Sequence, residues 1–135
     1  MPSLSKKGYE TEPEYADLCR MDLTQLENVQ NFTVKNKFAK VVFLDKTNVV
    51  GLDLDKIIQL NHKSVELYND ERSKPNTGEG LNKPALITFY EFELPSKMSE
   101  EKFYKKVKNW TREMNADFVE FNPKDKMMTI HVEHF

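Results

Sequence analysis

Few residues of this 135-residue chain could do chemistry: three histidines, His62, His131 and His134, and one thiol, Cys19. Imidazole titrates near neutral pH and can take or return a proton, so a placed histidine is the natural general base. His62 and His131, taken with Cys19, show none of the usual metal-ligand spacings, so they read as ordinary polar residues and no metal is expected. Gly78-Glu79-Gly80 invites a phosphate-cradle reading, but neither dinucleotide nor P-loop spacing is present. The segment after Gly80 reads as a strand rather than the helix whose N-terminus would hold phosphate. No cofactor is therefore expected, and Gly78 and Gly80 read as positions needing positive φ or a close backbone approach. His134 differs. Met128, Ile130, Val132 and His134 alternate along one apparent strand, which predicts one shared face with the imidazole extending a core-facing row. Phe135 follows and ends the sequence. Soluble domains usually finish in a few frayed polar residues, so an end at His-Phe reads as one made by cleavage.

The elements that position these residues are legible from periodicity. Phe118 to Phe121 and Lys126 to Glu133 are predicted strands, joined at Asn122-Pro123-Lys124-Asp125-Lys126 by a turn of hairpin composition. Further strands are predicted at Phe32 to Val34, Lys40 to Leu44, Lys63 to Tyr68 and, most strongly, Ala85 to Phe92. Asn69 to Lys83 is a long polar loop. One long helix is predicted from Ser99 to Met114, with Ser99 as N-cap and Glu100 and Glu101 favouring its first turn. Its apolar stripe is Phe103, Val107, Trp110 and Met114, and its basic residues lie mostly off that stripe. Asp22 to Val29 reads as a short helix and Asp53 to Ile58 as a capped helical turn, whereas Gly8 to Asp17 reads as irregular. The fold class is α+β: a mainly antiparallel, sandwich-like sheet core covered by one long helix and one or two short ones. Residues 1–7 read as a disordered tail or cloning remnant, and residues 8–135 as one domain.

Composition narrows the function classes. Charged residues make up 31% of the chain, yet the net charge is −2, which argues against nucleic-acid binding through bulk charge. No apolar run is long enough to span a bilayer, and the first residues lack the apolar stretch of a secretory signal. With a single cysteine there is no internal disulfide framework. Expected, then, is a soluble intracellular domain with no membrane or small-molecule partner.

Two segments carry a specific resemblance. Val132-Glu133-His134-Phe135 resembles the end of the nucleoporin autopeptidase domain, the self-cleaving C-terminal domain of GLFG-repeat nucleoporins, which continues His-Phe-Ser and is cut after Phe. Lys74-Pro75-Asn76-Thr77-Gly78-Glu79-Gly80-Leu81-Asn82 is similar to that family's Lys-Pro-x-x-Gly-Glu-Gly-Leu-Asn signature. Val65-Glu66-Leu67-Tyr68 resembles the family's strand leading into that loop, Asn31-Phe32-Thr33-Val34 resembles its segment before a Gly-rich turn, and the likeness runs from about Gly8 to Phe135. It departs at Lys35-Asn36-Lys37-Phe38-Ala39, where a Gly-containing turn is common.

The resemblance implies a mechanism and partners. A Ser following Phe135 would attack the Phe135 carbonyl while His134 takes its proton. This N-to-O acyl shift yields an ester that water hydrolyses. The chain is then the spent product of a single-turnover serine peptidase, with Gly78, Gly80, Leu81 and Asn82 as a structural family-motif loop. The implied location is the nuclear pore complex. The implied role is to anchor an FG nucleoporin to a β-propeller scaffold nucleoporin, or to the N-terminal segment of the released partner protein, in support of nucleocytoplasmic transport. The alternative is an RNA-binding module of the pore, resting on Lys35, Lys37, Lys40 and the basic helix face with Trp110, for which weak binding is expected.

Overall fold

The computed structural model describes residues 2–70, 72–93 and 97–135. In chain order its elements are β1 (Glu10–Glu12), α1 (Tyr15–Leu18), α2 (Leu23–Glu27), β2 (Val29–Gln30) and β3 (Thr33–Lys35). There follow β4 (Ala39–Phe43), β5 (Lys46–Thr47), α3 (Leu54–Ile57), β6 (Ile58–Asn61) and β7 (Ser64–Leu67). The last are β8 (Ala85–Phe89), α4 (Glu100–Glu113), β9 (Asp117–Asn122) and β10 (Met127–Val132). Six antiparallel strands form the main sheet in the order β1-β3-β4-β8-β10-β9, and β2-β5 and β6-β7 form two ribbons. Among the described residues no helix is long and apolar enough to cross a membrane.

Alternation decides which face of the sheet is buried. Ala39, Val41 and Phe43 of β4, Ala85, Ile87 and Phe89 of β8, and Met128, Ile130 and Val132 of β10 are all buried. Their registers coincide: Val41 faces Ile87 and Ile87 faces Ile130. Each large side chain so buried contributes about 1.5–3 kcal/mol. The hydroxyls of Thr88 and Thr129 meet at 3.1 Å on the opposite face.

Ser99 caps α4 as predicted, its hydroxyl accepting the Lys102 N–H at 3.3 Å. The buried residues of the helix are Phe103, Val107 and Thr111, with Trp110 half-buried beside them. Met114 is 40% exposed, because it is the C-cap and no longer follows the helical spacing. Thr111 enters the core by donating its hydroxyl to the carbonyls of Val107 and Lys108. The helix packs through aromatics: ring centroids lie 4.9 Å apart for Phe103–Phe121 and 5.7 Å for Phe89–Trp110.

Four sequence expectations need correcting. Gly8 to Asp17 is not irregular, because β1 pairs with β3 and α1 buries Leu18. Three short helices are present rather than one or two, and the turn after Asp53 lacks a side-chain cap, whereas Asp22 and Gln25 form a reciprocal capping box. Residues 2–6 are not a free tail; Met1 lies outside the described residues. Ser3 forms a parallel bridge with Asp53, and the Asp55 carboxylate accepts the N–H groups of Ser5 and Lys6 at 3.0 Å.

Candidate functional site

Strand β10 delivers the chain end, and β8 decides where that delivery stops. Their ladder runs from Met128 opposite Phe89 to Val132 opposite Ala85. The residue before Ala85 is Pro84, which has no N–H with which to continue it. The strand therefore ends at Val132, and Glu133 and His134 are both exposed. The expectation that His134 extends the core-facing row fails for this reason. Its imidazole makes no hydrogen bond or ion pair among the described residues.

Beyond Pro84 a side chain takes over from the ladder. Continuing the same register places Phe135 opposite Asn82, and the Phe135 N–H donates to Asn82 Oδ1 at 2.7 Å. Its ring packs 6.0 Å from that of Phe43. Asn82 is buried and spends its remaining groups on the loop before it. Its amide nitrogen donates to the Pro75 carbonyl at 2.9 Å, its backbone N–H to Glu79, and its carbonyl accepts the Gly78 N–H at 2.6 Å. The loop and the chain end are thus one hydrogen-bonded unit centred on Asn82.

The loop's other residues explain why it needs its glycines. Gly78 and Gly80 have φ of +94° and +54°, as expected of them. A Cβ on Gly80 would meet the Tyr68 hydroxyl at 2.9 Å and Pro75 Cγ at 3.3 Å, whereas one on Gly78 would meet nothing. Tyr68 Oη accepts the N–H of buried Leu81 at 3.0 Å. Burial raises the Tyr68 pKa, and that N–H offsets part of the effect. Next to Asn82, Lys83 is buried, with its ammonium donating to the Lys46 carbonyl and the Thr47 hydroxyl. Burial pushes the Lys83 pKa down, partly countered by Asp45. Sequence reasoning found Gly78, Gly80, Leu81 and Asn82 but missed Tyr68 and Lys83. A polar residue's burial leaves no signal in composition or spacing.

The residues gathered for nucleic-acid binding fare differently. Lys35 is held by Glu12 at 2.7 Å, an ion pair that raises its pKa and lowers that of Glu12. Lys37 sits over the Phe38 ring. Trp110 lies on the apolar side of α4 as predicted, packed against Phe89 and Phe92, but it is only half-buried and lines a groove of about 260 Å³ with Lys63, Phe92, Phe103, Lys106 and Val107. Of the two histidines set aside, His62 lies edge-on to Phe38.

The family model described as Nucleoporin2, Nup98-96 autopeptidase S59, matches residues 6–135. The chain belongs to this nucleoporin autopeptidase family. It is 32% identical over its full length to the Arabidopsis thaliana nuclear pore complex protein NUP98A, of which it spans 14%. Nucleoporin NUP145 of Saccharomyces cerevisiae is 28% identical over 97% of the chain, which spans 11% of that protein. A solved Chaetomium thermophilum Nup145N APD mutant fused to Nup145C N superposes with a TM-score of 0.83 at 25% identity, covering 94% of each chain. The yeast Nup82-Nup159-Nup116 complex contains a chain of the same fold, with a TM-score of 0.82 at 22% identity over 96% of this chain and 98% of that one. The expected family and the mostly antiparallel α+β fold are both borne out. Within this fold, Asn82 joins the signature loop to the chain end by hydrogen bonds to Pro75 and Phe135.

Proposed function

We propose that this domain is the self-processing anchor of a nuclear pore nucleoporin. In a chain carrying a serine after Phe135, the serine hydroxyl attacks the Phe135 carbonyl and His134 takes its proton. The amide becomes an ester, which water hydrolyses. The observation that carries this reading is the 2.7 Å bond from the Phe135 N–H to Asn82. It fixes the residue whose carbonyl would react, and holding reacting groups in a productive geometry removes much of the entropic cost of attack by a weak nucleophile. The exposed, unpartnered imidazole of His134 supports the same reading, since nothing holds it away from a neighbouring hydroxyl.

Anchoring is assigned to the groove beside α4. Its floor is apolar, and Lys63 and Lys106, neither with an acidic partner among the described residues, stand at its sides. Lys63 Nζ is poised 5.2 Å over the Phe92 ring. That chemistry fits an apolar side chain flanked by carboxylates on a β-propeller nucleoporin, and the Nup82-Nup159-Nup116 assembly of a structural neighbour is in keeping with a nucleoporin partner. RNA is disfavoured by the pairing of Lys35 with Glu12.

The test of processing is the intact mass of a chain extended by serine and several residues past Phe135. Unaided cleavage after Phe135, blocked by His134→Ala in a folded variant, is the expected result. The same truncated mass at the same rate from His134→Ala would remove His134 from the role of base.

A further inference from the structure

His131, set aside above as an ordinary polar residue, has company that spacing along the chain could not reveal. It lies on the outward row of β10, and Glu133, two residues on, follows the same row. Opposite His131 on β9 stands Asp117. That juxtaposition is the product of a bulge: Thr129 pairs with Glu120, but Ile130 pairs with Phe118. Had the first register run on, Phe118 would stand opposite His131 and no carboxylate would be there. A bulge that redirects one side chain in this way is a common feature of strands that build sites.

His131 Nδ1 lies 3.7 Å from Asp117 Oδ2 and 3.7 Å from Glu133 Oε1. All three ligand atoms fall within 4.8 Å of one another. These separations are too long for hydrogen bonds. They are close to what a shared cation needs: with bonds of about 2.1 Å, tetrahedral zinc spaces its donors about 3.4 Å apart. His131 is the least exposed member, its side chain 23% exposed, whereas the carboxylates of Asp117 and Glu133, 80% and 71% exposed, can rotate inward to close the few tenths of an ångström to His131 and the gap of up to 4.8 Å between ligand atoms. Neither carboxylate has a lysine or arginine partner among the described residues. Two unneutralised carboxylates and one imidazole match a divalent transition ion of zinc type better than magnesium or calcium, which favour all-oxygen sites.

We propose that Asp117, His131 and Glu133 form a zinc-type metal site on the outer face of the β9–β10 hairpin, three protein donors with the remaining position open to water. The ion would tie β9 to the residue immediately preceding His134. This proposal stands apart from the reading of self-cleavage and does not depend on it.

The probe is zinc chloride added to the chain in a non-chelating buffer, followed by NMR of the histidine rings and by thermal melting. Saturable shifts are expected at the His131 ring and not at His62 or His134, with a zinc-dependent rise in melting temperature. His131→Gln and Glu133→Gln should each weaken zinc binding by at least about tenfold. Because Glu133 is exposed and lies beyond the strand, its substitution leaves the fold intact, and melting in chelator verifies that for both variants. Magnesium should leave the His131 ring unmoved. His131 resonances that stay fixed up to millimolar zinc would overturn the proposal, as would zinc affinity unchanged in either variant.

Discussion

An alanine at Gly80 adds one methyl group at a point where both the backbone and the surroundings resist it. The backbone sits at φ +54°, and a left-handed conformation costs an L-residue about 1–2 kcal/mol. The new Cβ would lie 2.9 Å from the Tyr68 hydroxyl and 3.3 Å from Pro75 Cγ. Tyr68 cannot simply turn aside, because its oxygen accepts the buried Leu81 N–H. Forcing extra volume into such a spot costs about 1–3 kcal/mol. The stiffer unfolded chain returns about 0.4–1 kcal/mol. Gly80→Ala should therefore lose about 2–3 kcal/mol, whereas Gly78→Ala, with empty space around its Cβ, should lose only its backbone strain less the same unfolded-chain return, about 0.5–1.5 kcal/mol. Urea unfolding of both variants, checked for an unchanged slope, measures the difference. A double-mutant cycle isolates the contact. In a Tyr68→Phe background, itself costing about 1–3 kcal/mol through the orphaned Leu81 N–H, Gly80→Ala should become cheaper by about 1 kcal/mol. Additivity of Gly80→Ala and Tyr68→Phe within about 0.5 kcal/mol would refute the clash with Tyr68 and leave φ and the Pro75 contact as the explanation.

In the serine-extended chain, Asn82→Ala should slow cleavage after Phe135 at least about tenfold by mass spectrometry, while Asn82→Asp, which keeps the acceptor, should slow it less; equal rates in both would remove Asn82 from the site. Hydrogen bonds from Ser5, with a smaller contribution from Lys6, hold the Asp55 pKa below its ordinary value, so the docking of residues 3–6 should persist above the usual aspartate range and be lost as pH falls through and below it. Amide exchange at Ser5 and Lys6 reads this out, and Asp55→Asn should abolish the pH dependence. Lys83→Met should cost about 1–3 kcal/mol at neutral pH by leaving the Lys46 carbonyl without its donor. Because the folded Lys83 pKa is depressed, stability should climb with pH on approaching lysine's ordinary range, and unfolding curves of Lys83→Met should lack that climb. Trp110→Ala and Lys63→Glu should each weaken binding to a β-propeller nucleoporin about tenfold or more, with single-stranded RNA binding weak and salt-sensitive throughout.

The long periodic elements could be read directly from the chain. β4, β8, β10 and α4 each carry enough apolar residues at one period to declare both type and buried face. The short ones could not: β1 has three residues and β2 and β5 two each, and their existence depends on pairing with distant strands rather than on their own residues. Lys6 illustrates the same limit, since its ammonium is positioned by the Ile58 carbonyl and Gln59. At the site, the sequence pattern named the loop and the chain end separately, through family likeness. It could not show Pro84 ending the β8–β10 ladder before His134, because that follows from a register between strands. The bulge that brings Asp117 to His131 is likewise a two-strand property.

The bond between Phe135 and Asn82 joins residues 53 positions apart in the chain. It cannot form until β8 has entered the sheet beside β4, β10 has returned to pair with β8, and the turns around Gly78 and Gly80 have closed. These are pairings of distant segments, the slowest to assemble in a small domain. A chain whose cut depended on that bond would stay whole through every partly folded stage and be severed only once the sheet was complete. Processing would then act as a timer set by folding, releasing the downstream product only from a domain already able to hold its place.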